Sequence, residues 1–387
     1  MAGTDDPFNE FEEVLAQKGQ SEALDFLAGL YRKAGQFPEL FEILKAKIRI
    51  GLKLPAISHP DAPDQIDESK RRLLEDQLLD ACSEIGIALL NDGQFRNAWV
   101  YLQPLLDQQQ VQEAFCAANV TEQNVDEFIE IALYGGASPE KGFQWMIKQQ
   151  GTCNGITYLE THGTQLPPQI QSNLAQQLIE HIHDELYRDL ISDLSSRENE
   201  KGNNDSSAPG TLHELIAANP SLFNACGHHL DVTHLATAVR IGRRCQTEKS
   251  LMMAQGLAQY GMQLDPQLVY ESEPPFEDTY RDHYRYFCGR LNQDLETSLK
   301  HFRNKLDSMP SSELALIAQE VIIEMLVSAG QSTRAIEEYA LAPELWFLDA
   351  VLPLAQSEQD NDLISQCCRD RNDLLGFGLS KIAGGKN

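Results

Sequence analysis

The residues best suited to chemistry are histidines. The chain carries ten, and seven of them fall between positions 181 and 283: His181, His183, His213, His228, His229, His234 and His283. The densest stretch is His228-His229-Leu230-Asp231-Val232-Thr233-His234, which places imidazoles and a carboxylate within a few residues of one another. Imidazole with carboxylate suits zinc, iron or manganese. The candidate metal set is therefore His183, His229, Asp231, His234 and His283, and the cofactor it implies is a divalent transition metal. The competing expectation is no cofactor at all. On that view Asp231 is a helix N-cap, His234 bonds locally in the first turn, His181 and His228 are solvated, and an inward histidine is a satisfied core residue. Cys226-x-x-His229 has the spacing of a zinc half-site without a second half. A third possibility is a metal-free histidine pocket that binds a small anion or does general acid–base work. No catalytic residue is named on these grounds.

Helical periodicity says how these groups would be held. Residues 174–195 form an amphipathic helix whose core face includes Ile179, Ile182, Leu186 and Leu190. At 100° per residue His183 falls toward that face and His181 away from it, while Asp189 and Asp193 project near the apolar side and need partners. In a helix over 278–304, Tyr280, His283, Phe287 and Leu291 share a face. A helix over 231–245 starts at Asp231. Histidines pointing inward from facing helices are how bundle-core metal sites are assembled.

Two neighbouring segments stand apart. Residues 151–168 are less regular, with Cys153, Asn154, Thr157 and His162, and read as a connection or as the lining loop of a site. Residues 270–286 interleave five aromatic side chains with acidic ones around Pro274-Pro275. They read as a connection packing its rings on the next helix, or as the rim of a pocket beside His283. His183-Asp184-Glu185-Leu186 is not a zincin motif, because position 187 is tyrosine. Nucleophile-elbow, Walker and dinucleotide-binding glycine motifs are also missing from the sequence, which removes the common hydrolase and nucleotide-binding readings.

Elsewhere apolar residues recur at helical spacing, and period-2 alternation is not found. Three helix pairs meet at a Gly-Gln turn. Leu24, Leu27, Ala28 and Tyr31 precede Gly35-Gln36, with Leu40 and Leu44 after it. Ile85, Gly86 and Leu89 precede Gly93-Gln94, with Ala98, Leu102 and Leu105 after it. Ile322 and Leu326 precede Gly330-Gln331, with Ala335, Tyr339 and Ala342 after it. Glycine ends each first helix in a left-handed conformation, and small residues let two backbones approach. This spacing of large and small residues resembles the tetratricopeptide repeat, with looser matches at 234–257 and 284–310. The units depart from that repeat in lacking its tryptophan and closing proline and a fixed tandem period. The stretches HHLDVTHL and EPPFEDTYRDH also resemble a group of uncharacterised bacterial repeat proteins, a likeness that implies no activity. The expected fold is all-α, an α-α superhelix or solenoid of degenerate tetratricopeptide-like helix pairs.

The expected organisation is an N-terminal repeat region over 1–150, a histidine-rich middle over 151–305 and C-terminal repeat-like helices over 306–387. Proline-rich 54–68, polar 196–210 and proline-bearing 264–277 break the helices, and the terminal glycines predict a frayed tail. The formal net charge of −27 argues against nucleic acid and anionic membrane as partners. Arg240, Arg243 and Arg244, the local exception, are expected to answer a helix dipole. No apolar run reaches membrane-spanning length and the first residues show no basic-apolar leader, so a cytoplasmic location is expected. Eight scattered cysteines suit reduced buried thiols, with the adjacent Cys367–Cys368 the one pair that invites a redox reading. The expected function is an interaction module for a protein or peptide partner; the alternative is a metal-binding protein or metal-dependent enzyme.

Overall fold

The computed structural model describes residues 6–58, 66–105, 107–201, 210–223, 229–309 and 311–384. The described residues are helical, with no β-strand among them, and the chain is all-α as the periodicity predicts. It divides into two compact units, Met1–Gly151 and Thr152–Asn387.

The first unit holds α1 (Pro7–Lys18), α2 (Gln20–Lys33), α3 (Phe37–Gly51), α4 (Glu68–Asn91), α5 (Phe95–Leu102), α6 (Gln108–Ala117), α7 (Val125–Ile129) and α8 (Pro139–Gln150). A single π-helical turn, Glu130–Tyr134, continues α7. Successive helices pack as neighbours, α2 on α3 and α4 on α5. The Gly-Gln turns at 35–36 and 93–94 join those pairs, and both glycines take the expected positive φ, +68° and +76°. Gly86 on α4 faces Leu102 and the Ala98 carbonyl of α5, so closely that a Cβ there would lie 2.5 Å from Leu102 Cγ. Ile85, Leu89, Phe95, Ala98, Leu102, Phe115 and Phe128 fill the seam between the helices.

The second unit holds α9 (Thr152–His162), α10 (Pro168–Lys201), α11 (Leu212–Ala218), α12 (Val232–Gly242), α13 (Glu248–Gly261), α14 (Thr279–Arg290), α15 (Leu295–Asp307), α16 (Ser312–Ser328), α17 (Ser332–Leu341), α18 (Leu348–Val351), α19 (Glu358–Asp370) and α20 (Leu374–Gly384). The organising element is α10, whose Leu174, Leu178, Ile182, Leu186 and Leu190 recur every fourth residue and are fully buried. Against it pack α9, α12 and α13.

Three expectations are corrected. Residues 151–168 are not irregular: Thr152–His162 is a helix, followed by a 3-10 turn at Gly163–Gln165. Gly155 and Asn154 weaken its propensity, but Gly155, Ile156, Tyr158 and Leu159 are buried against the neighbouring helices, and tertiary packing decides. The helix expected over 278–304 is two, α14 and α15, because Asn292 and Asp294 adopt left-handed backbone between them. The loop expected at 196–210 starts later, since α10 runs to Lys201; residues 202–209 lie outside the described ones. No described helix is long and apolar enough to cross a membrane.

Candidate functional site

The five predicted ligand residues all lie in the second unit, each with its own set of partners. Asp231 is the N-cap of α12: its carboxylate accepts hydrogen bonds from the Thr233 and His234 amides at 2.8 and 3.2 Å. The Thr233 hydroxyl adds a third, and these bonds hold the carboxyl below the usual carboxylate range. Asp231 is thus engaged by its own helix, as an N-cap should be.

His229 sits just ahead of that cap. Its Nε2 lies 3.1 Å from Asp193 Oδ2 on α10, and its Nδ1 lies 3.1 Å from the Tyr260 hydroxyl on α13. The same hydroxyl accepts the His229 backbone N–H at 2.9 Å. Arg197 completes the group, bonding Asp193 Oδ1 at 2.9 Å and the Ser221 carbonyl at 2.8 Å. Burial pushes the Asp193 carboxyl up, but the hydrogen bonds from Arg197 and His229 outweigh it and leave its pKa lowered. Asp193 needs partners, as its helical position predicts, and finds them in Arg197 and His229. Cys226 and His228, the rest of the proposed half-site, lie outside the described residues.

His283 points inward as expected and is 1% exposed. Its Nδ1 bonds the Thr279 carbonyl at 2.6 Å, one turn back on α14, and the Phe276 ring stacks on it at 4.2 Å. Burial pushes its pKa down to about 3, so it is neutral at ordinary pH. Phe276 closes over His283 and packs into the core with Tyr280 and Tyr286, whereas Tyr270 of the same aromatic-acidic segment is exposed and Tyr284 turns to a cleft on the other side. Arg243 lies over the same Phe276 ring at 4.5 Å.

His183 lies on the edge of the α10 core face, with 15% of its side chain exposed, beside Asp184 and stacked on Tyr187. It borders a cleft of about 670 Å³ between α10, the start of α11, α13 and α14. Tyr187, Leu212, Met252, Met253 and Tyr284 line the cleft, with His213 and Lys249 among its polar groups. His181 is not free in solvent: its Nε2 lies 3.1 Å from the Thr152 hydroxyl on α9.

His234 has the most reactive neighbour. Its Nε2 lies 2.9 Å from the Sγ of Cys153, which is exposed in the first turn of α9. Eighty-one positions separate the two in sequence. The sequence reading has both residues, but in different segments and without a link.

The five residues are therefore not drawn to a common centre. Among the described residues, no group of three or more histidine, cysteine, aspartate or glutamate side chains is placed to hold a metal ion. Functional groups that the sequence did not single out are Tyr260, which fixes His229, and the cleft residues Met252, Met253 and Tyr187. Arg240 pairs with Glu160 at 3.0 Å, Arg244 reaches the Leu159 carbonyl at 3.3 Å, and Arg243 lies over Phe276. They join α12 to its neighbours, and Arg240 stands in the last turn of α12, where the helix dipole favours a cation as expected. Cys367 and Cys368 are free, buried thiols pushed up chiefly by burial.

No family model matches this chain, and no curated protein matches it.

Proposed function

We propose that the helix pairs stack, within each unit, as a degenerate tetratricopeptide-like solenoid, and that the chain is an interaction module which takes a peptide segment of a partner protein. The observation that carries this reading is the cleft between α10, α11, α13 and α14. Its volume of about 670 Å³ fits a few anchoring side chains. Part of its apolar surface is left open: Met252 keeps 46% of its surface exposed near the start of α13. Methionine adapts its shape to irregular apolar partners, and the Tyr187 and Tyr284 rings beside it supply rigid contact area. The formal charge of −27 favours a partner segment that combines an apolar anchor with basic residues. The repeat reading is supported by the Gly-Gln turns at Gly35, Gly93 and Gly330, each with positive φ.

A displayed random-peptide library panned against the whole chain tests this. The expected hits combine aromatic or aliphatic anchors with Lys or Arg, and bind Met252→Ser at least about tenfold more weakly, since the apolar contact is lost while a neutral hydroxyl gives the basic residues no new ion pair. Hits that bind Met252→Ser as well as the parent chain would remove the cleft as the site.

A further inference from the structure

We propose that Cys153 and His234 form a thiol–imidazole pair that makes Cys153 a site of reversible thiol–disulfide exchange with low-molecular-mass disulfides. Two helices build the pair. Cys153 lies in the first turn of α9 and His234 in the first turn of α12, and the two helices pack together. At their other ends Glu160 of α9 pairs with Arg240 of α12. The helices therefore run side by side in the same direction, with both N-termini at the sulfur. A thiolate formed there meets the positive ends of two helices. Sγ is 2.9 Å from Nε2, within reach of direct proton transfer. Asp231, which caps α12, lies within electrostatic reach of the His234 ring.

The other described cysteines supply the contrast. Cys82, Cys245, Cys288, Cys367 and Cys368 are buried or half-buried, and burial pushes each thiol up, Cys245 to about 11. Cys116 is exposed like Cys153, but its neighbour is the Ser138 hydroxyl at 3.4 Å, which is not a base. Exposure and a base coincide at Cys153.

The step balances. His234 Nε2 takes the thiol proton. The Cys153 thiolate attacks one sulfur of a disulfide RS–SR, forming the Cys153–SR bond as the S–S bond breaks. The departing RS⁻ takes the proton from His234 and leaves as RSH. The Cys153 sulfur is oxidised and the released thiol is the reduced product. A free thiol reverses the exchange by the same route. The adduct forms on the exposed sulfur at the first turn of α9 and replaces the thiol that contacts His234.

The test uses the intact chain and cystamine, a small cationic disulfide suited to a chain of net charge −27, with rates read site by site by peptide mass spectrometry. Cys153 is expected to be modified at least about tenfold faster than Cys116, and His234→Gln to slow Cys153 at least about tenfold while leaving Cys116 unchanged. Equal rates at Cys153 and Cys116 in the parent chain overturn the pair without any variant. An unchanged Cys153 rate in a folded His234→Gln chain overturns it as well.

Discussion

Replacing Tyr260 with phenylalanine removes one oxygen and tests how the start of α12 is held. That oxygen serves His229 twice, accepting its backbone N–H at 2.9 Å and meeting its Nδ1 at 3.1 Å. Tyr260 is 1% exposed and the His229 side chain is 12% exposed, so water replaces neither bond easily. A polar group left unpaired when its partner is deleted costs about 1–3 kcal/mol. With two groups affected, both at the edge of burial, the expected loss is about 2 kcal/mol. For a unit of this size that lowers the melting temperature by about 4–8 °C. A double-mutant cycle separates the two bonds. With His229→Ala in place the ring contact is already gone, so Tyr260→Phe then costs only the backbone bond, about 1 kcal/mol. Thermal unfolding followed by circular dichroism reads all four corners. A Tyr260→Phe shift below about 1 °C, or an equal loss in both backgrounds, refutes the argument that this hydroxyl holds residue 229.

Other perturbations have equally definite outcomes. Asp282 is 1% exposed and bonds His301 at 2.7 Å and Lys305 at 2.9 Å; burial raises its pKa, but those bonds prevail and lower it. Its stabilisation is therefore full above the unfolded value near ~3.9 and lost as pH falls through the lower folded value. Asp282→Asn should cost about 2 kcal/mol at pH 7, with the gap in denaturant midpoints narrowing as pH falls through the lowered folded value. His283 works in the same direction over a wider pH range: with its folded pKa pushed to about 3 by burial, the unfolded chain gains a proton below pH ~6.5 and the folded chain does not. Stability should drop by about 1.4 kcal/mol per pH unit between those values, and melting curves of His283→Phe should be flatter over that range. Gly86→Ala places a Cβ 2.5 Å from Leu102 Cγ and should destabilise by about 1–3 kcal/mol in chemical denaturation. Adding zinc, iron(II) or manganese(II) should leave the melting temperature unchanged, because His183, His229, Asp231, His234 and His283 are engaged by separate partners. A rise above about 2 °C at saturating metal would show that a site assembles.

Local signals in the sequence carried far, and signals that need tertiary contact did not. A glycine that closes a helix favours positive φ whatever packs around it, so the Gly-Gln turns are legible, as are Asp231 at its cap and the buried stripe of α10. The left-handed residues Asn292 and Asp294 carry no comparable mark, and one helix was expected where two exist. The residues of α9 have modest helix propensity, and what makes them a helix is burial of Ile156, Tyr158 and Leu159 against elements far along the chain.

The histidine cluster shows the same limit from the chemical side. Counting imidazoles within a window assumes that neighbours in sequence share a centre. His229 precedes α12, Asp231 is its N-cap and His234 lies in its first turn, so the three stand on differently built pieces of backbone that do not fix a shared centre. Each then meets whatever another helix presents: Asp193 and Tyr260 for His229, the α12 amides for Asp231, and Cys153 for His234. The pair with the most chemistry thus joins a histidine from the cluster to a cysteine from the segment that reads as a connection or as the lining loop of a site. Neither half signals the other, because the link is the parallel packing of α9 and α12. Glu160 and Arg240 meet across the far ends of the helices as Cys153 and His234 meet across the near ones. Reversing the outer pair, Glu160→Arg with Arg240→Glu, should therefore keep Cys153 fast toward cystamine, while Glu160→Arg alone sets two arginines together and should slow it. If Glu160→Arg and the double exchange behave alike, the outer pair has no part in bringing sulfur and imidazole together.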